Sequence, residues 1–245
     1  MRQYVAGPVS LLLPGFLPAN FITLFSNLFI YYALFRQLST PDHPYHFWLL
    51  PLCLFLYTLG DHLDGMQAKK TGTGSPLGEY LDHYLDVFNS GIVVFLMANA
   101  YPASHSWLIV LMAGTTYLAH AMTMHEQYRT GWLVFEKIGS LEAVLLCVLF
   151  LAGSGIDSVR QIMAFTTPVG GLSVFSLILL FACLGGVGTL LTISRRSGAP
   201  GIKFYSYVAL QITIFILWQR DHFNVHQAIL SFTLAAGSYI GSGMY

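Results

Sequence analysis

Long apolar stretches recur along the whole of this 245-residue chain, and they constrain its fold more than any other feature. A helix needs about 20 mostly apolar residues to cross a bilayer. The stretches that approach this length cover residues 20–37, 46–68, 77–101, 106–126, 137–154, 168–193, 203–219 and 223–243. We therefore predict an all-α, polytopic transmembrane helix bundle of about eight spans. The last two stretches define their spans least clearly, since the final one is rich in Gly and Ser, so the sequence is compatible with six to eight spans.

The composition excludes several functional classes. Hydrophobic residues make up 55% of the chain and charged residues only 9%, whereas soluble domains have about 25% charged residues. Eleven Lys and Arg balance eleven Asp and Glu, which argues against a nucleic-acid partner because such proteins need a basic surface. No linker long enough to separate domains interrupts the chain, so we expect a single integral-membrane domain over residues 1–245.

A short apolar stretch before the first span is interrupted by prolines. Residues 9–19 hold five large apolar side chains, Leu11, Leu12, Leu13, Phe16 and Leu17. This stretch is too short to cross a bilayer, and we predict a short interfacial segment that lies on the membrane.

Basic residues in the loops predict the orientation of the bundle. If the loop at Lys69 and Lys70 is cytoplasmic, the cytoplasmic side also collects Arg2, Arg129, Lys137, Arg195, Arg196 and Lys203, and the opposite side keeps Arg36, Arg160 and Arg220. This distribution satisfies the positive-inside rule. We expect an integral protein of the endoplasmic reticulum or of a bacterial inner membrane, and we interpret Arg195, Arg196 and Lys203 as topology charges or lipid-phosphate contacts.

Acidic residues concentrate at the end of the second predicted span and at the start of the third. Five of the eleven acids fall between positions 61 and 86. Charged residues at membrane depth are costly and are usually functional. At about 100° per residue, Asp61 and Asp64 share one helix face with Gly65 and Ala68.

The second half of this region repeats the pattern. Asp82 and Asp86 lie one helical turn apart, and Gly78 lies one turn before Asp82. Residues 71–77 are rich in Gly, Thr, Ser and Pro, so they can form a turn that brings the two acidic faces together.

Four facing carboxylates need cations, because they cannot all stay ionised without them. Oxygen ligands favour hard divalent ions, and shared carboxylates suit two ions of Mg²⁺ or Mn²⁺ about 3.5–4 Å apart, an arrangement used in phosphoryl transfer. Gly65, Ala68 and Gly78 leave room beside the acids for a bulky group whose phosphates lie on the metals. The alternative is that each acid only caps a helix end at the membrane surface.

The same residues resemble the signature of the CDP-alcohol phosphotransferases, and the resemblance covers about residues 20–142. The branch it resembles most is that of the choline- and ethanolaminephosphotransferases, because of the runs 67–71 and 75–79 and the pair Asp82-His83. Two weaker matches are Asn20-Phe21-Ile22-Thr23 and Tyr128-Arg129-Thr130-Gly131 with Glu142. The signature reads here as Asp61-x-x-Asp64-Gly65-x-x-Ala68-Lys69, eight residues, and then Gly78-x-x-x-Asp82-x-x-x-Asp86.

The resemblance implies an enzyme that transfers a substituted phosphate from a CDP-linked donor to an alcohol and releases CMP. It implies that Asp61 and Asp82 bridge two metals, that Asp64 completes one metal site, and that Asp86 completes the other. Gly65, Ala68 and Gly78 would make room for the cytidine and its phosphates, Lys69 would contact the diphosphate, and Asn20 would reach the nucleotide. A homodimer is also an expectation from this resemblance.

Lys69 departs from the family pattern, which usually has Arg at this position. Arg grips a diphosphate through two parallel hydrogen bonds, whereas Lys provides a point charge. Lys70 is adjacent and could share the task.

Two residues are candidates for the base that takes the proton from the acceptor hydroxyl. Asp86 is close, but a carboxylate on a metal is a weak base. His83 is rotated by about 100° from Asp82 on the helix, and a neutral imidazole suits general-base catalysis at neutral pH. We expect His83 to be the base, as the resemblance also implies. The alternative is that His83 only forms a hydrogen bond with a neighbouring helix.

Three functions stay open at this point. We expect CDP-choline or CDP-ethanolamine as the donor and a lipid alcohol such as diacylglycerol as the acceptor, in phospholipid synthesis. A variant of the same chemistry uses CDP-diacylglycerol and a small alcohol. A cation transporter is the alternative of another class, and lysines beside the acids argue against it because they would repel a cation but attract a diphosphate.

Overall fold

The computed structural model describes residues 6–41, 43, 45–101, 105–131, 140–198 and 200–242, without the side chains of residues 140 and 141. This part of the chain forms ten helices and no strand, apart from an isolated β-bridge between Thr166 and Ser173. The prediction of an all-α protein is confirmed. The helices are α1 (Gly7–Leu12), α2 (Ala19–Ser39), α3 (His46–Thr71), α4 (Pro76–Ala100), α5 (Ser106–Thr130), α6 (Ser140–Gly153), α7 (Asp157–Ala164), α8 (Val174–Ser197), α9 (Ile202–Gln219) and α10 (Val225–Gly241).

The structure does not confirm the predicted number of membrane spans. Each predicted span corresponds to one of the longer helices, but within the described residues only α2, α4, α5 and α8 are both long and apolar enough to cross a membrane. The candidates number five if α6 and α7 count as one broken span. The count of about eight is therefore not confirmed. Four charged residues of α3 fall within residues 61–71, and α10 has only 17 residues.

The chain divides into two compact units. The first consists of residues 1–92 and 138–155, and the second of residues 93–137 and 156–245. In the first unit, α3 packs against α1, α2 and α6. In the second, α5 packs against α8, α9 and α10, and α10 also packs against α9. The single integral-membrane domain over residues 1–245 stays a prediction.

A glycine in α3 brings this helix close to α2. A Cβ atom on Gly60 would lie 2.2 Å from Cβ of Ser26, a distance that real side chains do not adopt. Small residues at such a crossing let two backbones approach closely, as is common between membrane helices. The approach places Thr23, one turn before Ser26 on α2, beside the acidic end of α3.

A tight turn joins α3 to α4. Gly72 ends α3 in the left-handed conformation with φ of 67°, and its N–H donates to the carbonyl of Ala68, which is a common way for a helix to end. Pro76 begins α4, and the hydroxyl of Ser75 accepts the N–H of Gly78 at 3.1 Å. The turn predicted over residues 71–77 is present but shorter, since only residues 72–75 lie outside the two helices. It brings the acidic parts of α3 and α4 together.

Candidate metal and substrate site

Three of the predicted metal ligands converge between α3 and α4. Asp61, Asp82 and Asp86 each offer one carboxylate oxygen, and these oxygens lie within 4.8 Å of one another. All three residues are partly buried. A group of carboxylate oxygens at this spacing fits a hard divalent cation such as Mg²⁺ or Mn²⁺. The structure therefore supports a metal site at the place where the sequence predicts one.

Asp64 lies outside this group of three. It is 5% exposed, and its Oδ2 atom accepts a 2.6 Å hydrogen bond from the hydroxyl of Thr23 on α2. The contact fixes one oxygen of Asp64. The role of Asp64 as a fourth metal ligand stays a prediction. Thr23 belongs to the stretch that the sequence analysis singled out for its resemblance, but no role was predicted for it.

A chain of hydrogen-bonded polar groups holds Asp86 in place. The phenol of Tyr57 donates to Oδ1 of Asp86 at 2.7 Å. The amide of Asn89 donates to the phenol oxygen at 3.1 Å and to Oδ1 of Asn27 at 2.8 Å, and Asn27 donates to the carbonyl of Thr23 at 2.8 Å. Buried networks of this kind hold their members in one arrangement, so α2 and α3 both orient the acids.

His83 lies on α4 between two of the converging acids. It directly follows Asp82, lies one turn before Asp86, and is 9% exposed. Its Nδ1 atom has no hydrogen-bond partner among the residues that the structure describes. The alternative role as a hydrogen-bonding partner of a neighbouring helix therefore has no support at this nitrogen, and the role as base stays a prediction.

The small residues of the signature differ in what surrounds them. A Cβ on Gly65 would meet nothing within 4 Å, whereas a Cβ on Gly78 would lie 2.7 Å from Oδ1 of Asn20. Gly65 thus borders open space, as expected for a substrate site. Gly78 instead permits the close approach of Asn20 at the start of α2. Lys69 is exposed and Ala68 is partly buried, and their substrate contacts stay predictions.

Lys70 has a different environment from the one expected. Its ammonium group donates to the carbonyl of Ser10 at 3.0 Å and to the carbonyl of Leu13 at 2.7 Å. Both partners belong to the segment that precedes α2. The suggestion that Lys70 shares diphosphate binding with Lys69 is not supported by this geometry.

The second unit contains an ion pair, with one buried and one exposed member, that sequence reasoning missed. Glu126 on α5 has a side chain that is 1% exposed, and both of its carboxylate oxygens accept hydrogen bonds from Nε and Nη2 of Arg196 on α8. Arg196 therefore has a structural partner, which corrects its interpretation as a topology charge or lipid contact. Their separation of 70 positions in the sequence left no local signal.

Together, the apolar helices and the carboxylate group define an integral-membrane protein with a candidate divalent-cation site at the ends of two helices. A family model described as CDP-alcohol phosphatidyltransferase matches residues 16–193, which is most of the chain. The chain belongs to the CDP-alcohol phosphatidyltransferase family, and the resemblance found in the sequence is confirmed.

Relatives within this family include choline- and ethanolaminephosphotransferases. Choline/ethanolaminephosphotransferase 1 of Saccharomyces cerevisiae is 28% identical over 169 residues, which are 64% of this chain and 43% of the yeast protein. Cholinephosphotransferase 1 of Rattus norvegicus is 28% identical over 253 residues, 92% of this chain and 62% of the rat protein. Choline/ethanolaminephosphotransferase 1 of Arabidopsis thaliana is 37% identical over 142 residues, 54% of this chain and 36% of the plant protein. The chain spans less than two thirds of the length of each.

Proposed function

We propose that this protein is a membrane-embedded, metal-dependent phosphotransferase of phospholipid synthesis. It transfers a substituted phosphate from a CDP-alcohol, with CDP-choline or CDP-ethanolamine as the lead donors, to a lipid alcohol such as diacylglycerol, and it releases CMP. The observation that carries the proposal is the convergence of Asp61, Asp82 and Asp86 in a chain of this family. The names of the yeast, rat and plant relatives support the choice of donor.

The acids would hold two ions of Mg²⁺ or Mn²⁺. Asp61, Asp82 and Asp86 provide an oxygen-only ligand set, and Asp64 lies one turn from Asp61 with one oxygen already fixed by Thr23. When bound, the ions would neutralise the donor diphosphate and stabilise CMP as it leaves. The hydrogen bonds from Thr23 and Tyr57 orient Asp64 and Asp86, as is common for the partners of metal-binding carboxylates.

His83 would accept the proton of the acceptor hydroxyl. A buried imidazole with an unpartnered nitrogen, adjacent in sequence to Asp82, can take this proton without first breaking a hydrogen bond at that atom. Asp86 is less suited to the role, since Tyr57 already donates to one of its oxygens and it also belongs to the carboxylate group. A neutral histidine has the basicity that such a transfer needs near pH 7.

The donor would occupy the open space beside Gly65. Apart from its chain neighbours and the backbone of its own helix, nothing lies within 4 Å of the position that a Cβ would take there, so a flat nucleotide would have room against the backbone of α3. Lys69 is exposed at the end of the same helix face and would contact the diphosphate. Ala68 adds little bulk beside it, and Asn20 would reach the nucleotide from α2 while it contacts Gly78.

Two alternatives differ from this proposal. Transfer from CDP-diacylglycerol to a small alcohol would use the same carboxylates, and the names of the relatives favour the lead donors over it. A cation transporter is disfavoured because the chain belongs to the CDP-alcohol phosphatidyltransferase family. We place the active site on the cytoplasmic side, since the turn after α3 carries Lys69 and Lys70 and the basic loop residues concentrate on that side.

Release of CMP by the purified protein tests the proposal. The protein in lipid nanodiscs containing diacylglycerol is given Mg²⁺ or Mn²⁺ and, separately, CDP-choline, CDP-ethanolamine or CDP-diacylglycerol with a small alcohol. We expect CMP from at least one of the first two donors, loss of this activity on chelation of the metal, and its loss in Asp61→Ala and Asp82→Ala. Asp157→Ala, at an exposed acid on α7, is the control. Absence of CMP from all three donors would contradict the proposal.

A further inference from the structure

The segment before α2 is folded onto the same helix that carries Asp61 and Asp64. Residues 6–18 comprise α1 and a turn in which the N–H of Leu17 donates to the carbonyl of Pro14 at 3.1 Å. One side of the segment packs against α2 and α3, in a cluster formed by Ala6, Val9, Leu13, Leu17, Ile22, Leu59, Leu63 and Met66. The opposite side exposes 80–85% of Leu11, Leu12 and Phe16, which is typical of a segment at a membrane interface.

Two side chains of α3 hold this segment through four hydrogen bonds to its backbone. Nε2 of Gln67 donates to the carbonyls of Pro14 at 2.8 Å and Leu17 at 2.9 Å. Nζ of Lys70 donates to the carbonyls of Ser10 at 3.0 Å and Leu13 at 2.7 Å. Gln67 is fully buried, so water cannot replace its bonds while the segment is in place.

The position of Lys70 satisfies a specific need of α1. The last carbonyls of a helix have no partner within the helix, and a cation near this end is stabilising because of the helix dipole. A helix of six residues is also too short to be stable on its own in water. Lys70 therefore caps α1 and, together with the apolar contacts, stabilises a helix that is too short to form on its own.

The segment held by Gln67 and Lys70 ends next to a residue of the predicted donor site. Gln67 fixes the carbonyl of Leu17, Pro18 has its φ angle fixed by its ring, and α2 begins at the next residue. Asn20 is the second residue of α2, and its Oδ1 atom lies against Gly78. Release of the segment would therefore free the first turn of α2 and the side chain of Asn20 with it.

We propose that Gln67 and Lys70 are positioning residues that clamp residues 6–18 to α3 and so place Asn20 for the nucleotide donor. Lys70 thus does not contact the donor diphosphate, and Lys69 alone provides that cation. The clamp itself follows from hydrogen bonds within this chain, whereas its effect on donor binding rests on the proposed function.

Hydrogen exchange tests the clamp without any need for activity. The full chain in lipid nanodiscs is compared with Gln67→Ala, Lys70→Ala and Lys70→Arg, and exchange is followed by mass spectrometry over residues 10–21. We expect about tenfold faster exchange in the two alanine variants, from the loss of paired bonds to carbonyls. Lys70→Arg keeps a cation with several donors and should restore protection. Lys203→Ala, at an exposed lysine on α9, is the control.

Steady-state kinetics with the CDP donor provide the second readout. Gln67→Ala and Lys70→Ala should raise the KM for the donor about tenfold with a smaller change in kcat, and Lys70→Arg should return KM towards that of the unaltered protein. If Lys70→Ala raises KM while exchange over residues 10–21 is unchanged, Lys70 contacts the donor and the inference is wrong. If exchange accelerates but KM is unchanged, the segment does not position Asn20. Unchanged exchange in Gln67→Ala would overturn the clamp whether or not the protein releases CMP.

Discussion

Tyr57 donates a 2.7 Å hydrogen bond to Oδ1 of Asp86, and this contact links α3 to α4 beside the three converging acids. The phenol oxygen also accepts a hydrogen bond from Asn89, so the phenol proton is directed towards Asp86. Tyr57 is 7% exposed, and little water can compete for the contact. One oxygen of Asp86 is thus held by the protein, which limits rotation of the whole carboxylate.

Replacement of Tyr57 by Phe should weaken metal binding. The partners of metal ligands typically change metal affinity by about 10–100-fold when they are removed, and we expect a loss in this range for Mn²⁺. The measurement is a titration of free Mn²⁺ by electron paramagnetic resonance with the purified protein. Tyr32→Phe, which alters a phenol on α2 that is 47% exposed, is the matched control. Equal Mn²⁺ affinity of Tyr57→Phe and the unaltered protein would show that this contact does not support the metal site.

Replacement of His83 by Ala should separate catalysis from metal binding. We expect kcat to fall by about 10²–10⁴-fold, the usual contribution of a general base. The Mn²⁺ titration should not change, because His83 is not among the three residues whose ligand atoms converge. Asp86→Ala should lose both properties, and His222→Ala, at an exposed histidine, neither. Full activity of His83→Ala would transfer the role of base to Asp86 or to water.

Two glycines of α3 should respond differently to a methyl group. Gly65→Ala adds a methyl group to open space, so the protein should fold normally but lose most CMP release because the methyl group would occupy the donor position. Gly60→Ala places a methyl group 2.2 Å from Cβ of Ser26 and should destabilise the fold by about 1–3 kcal/mol. Thermal unfolding in detergent together with CMP release distinguishes the two effects. Full activity of Gly65→Ala would show that the donor does not bind at this face of α3.

The two members of the ion pair in the second unit should differ in how much stability the protein loses when each is replaced. Arg196→Ala leaves the buried carboxylate of Glu126 without its partner. We expect a cost below the roughly 3–5 kcal/mol that loss of one member of a fully buried pair causes, because Arg196 lies partly in solvent. Glu126→Ala should cost less, because the side chain of Arg196 is 35% exposed and can reach water. The measurement is the melting temperature in detergent, with Arg195→Ala, at an exposed neighbour, as the control. A larger loss of stability in Glu126→Ala than in Arg196→Ala would contradict this reasoning.

Local sequence patterns predicted the helices and the acids well. Apolar runs place each long helix within six residues of its observed bounds, because hydrophobicity and chain length act over a single segment. Helical periodicity also placed Asp82 and Asp86 on one face, and the Gly- and Pro-rich stretch at 71–77 predicted the turn that brings them near Asp61. The span count was less predictable, since α3 combines an apolar run with polar and charged residues and is not among the helices that are long and apolar enough to cross a membrane.

The amino-acid sequence alone determined that the chain is helical, is inserted in a membrane and carries acids at two helix ends, because each of these properties depends on neighbouring residues. Only the tertiary structure decided which side chains support those acids and which hold the segment before α2. Tyr57 and Asp86 are 29 positions apart, Thr23 and Asp64 are 41 apart, and Lys70 and Ser10 are 60 apart. No local pattern encodes such pairs, since they arise when helices pack and bring distant residues within hydrogen-bond distance.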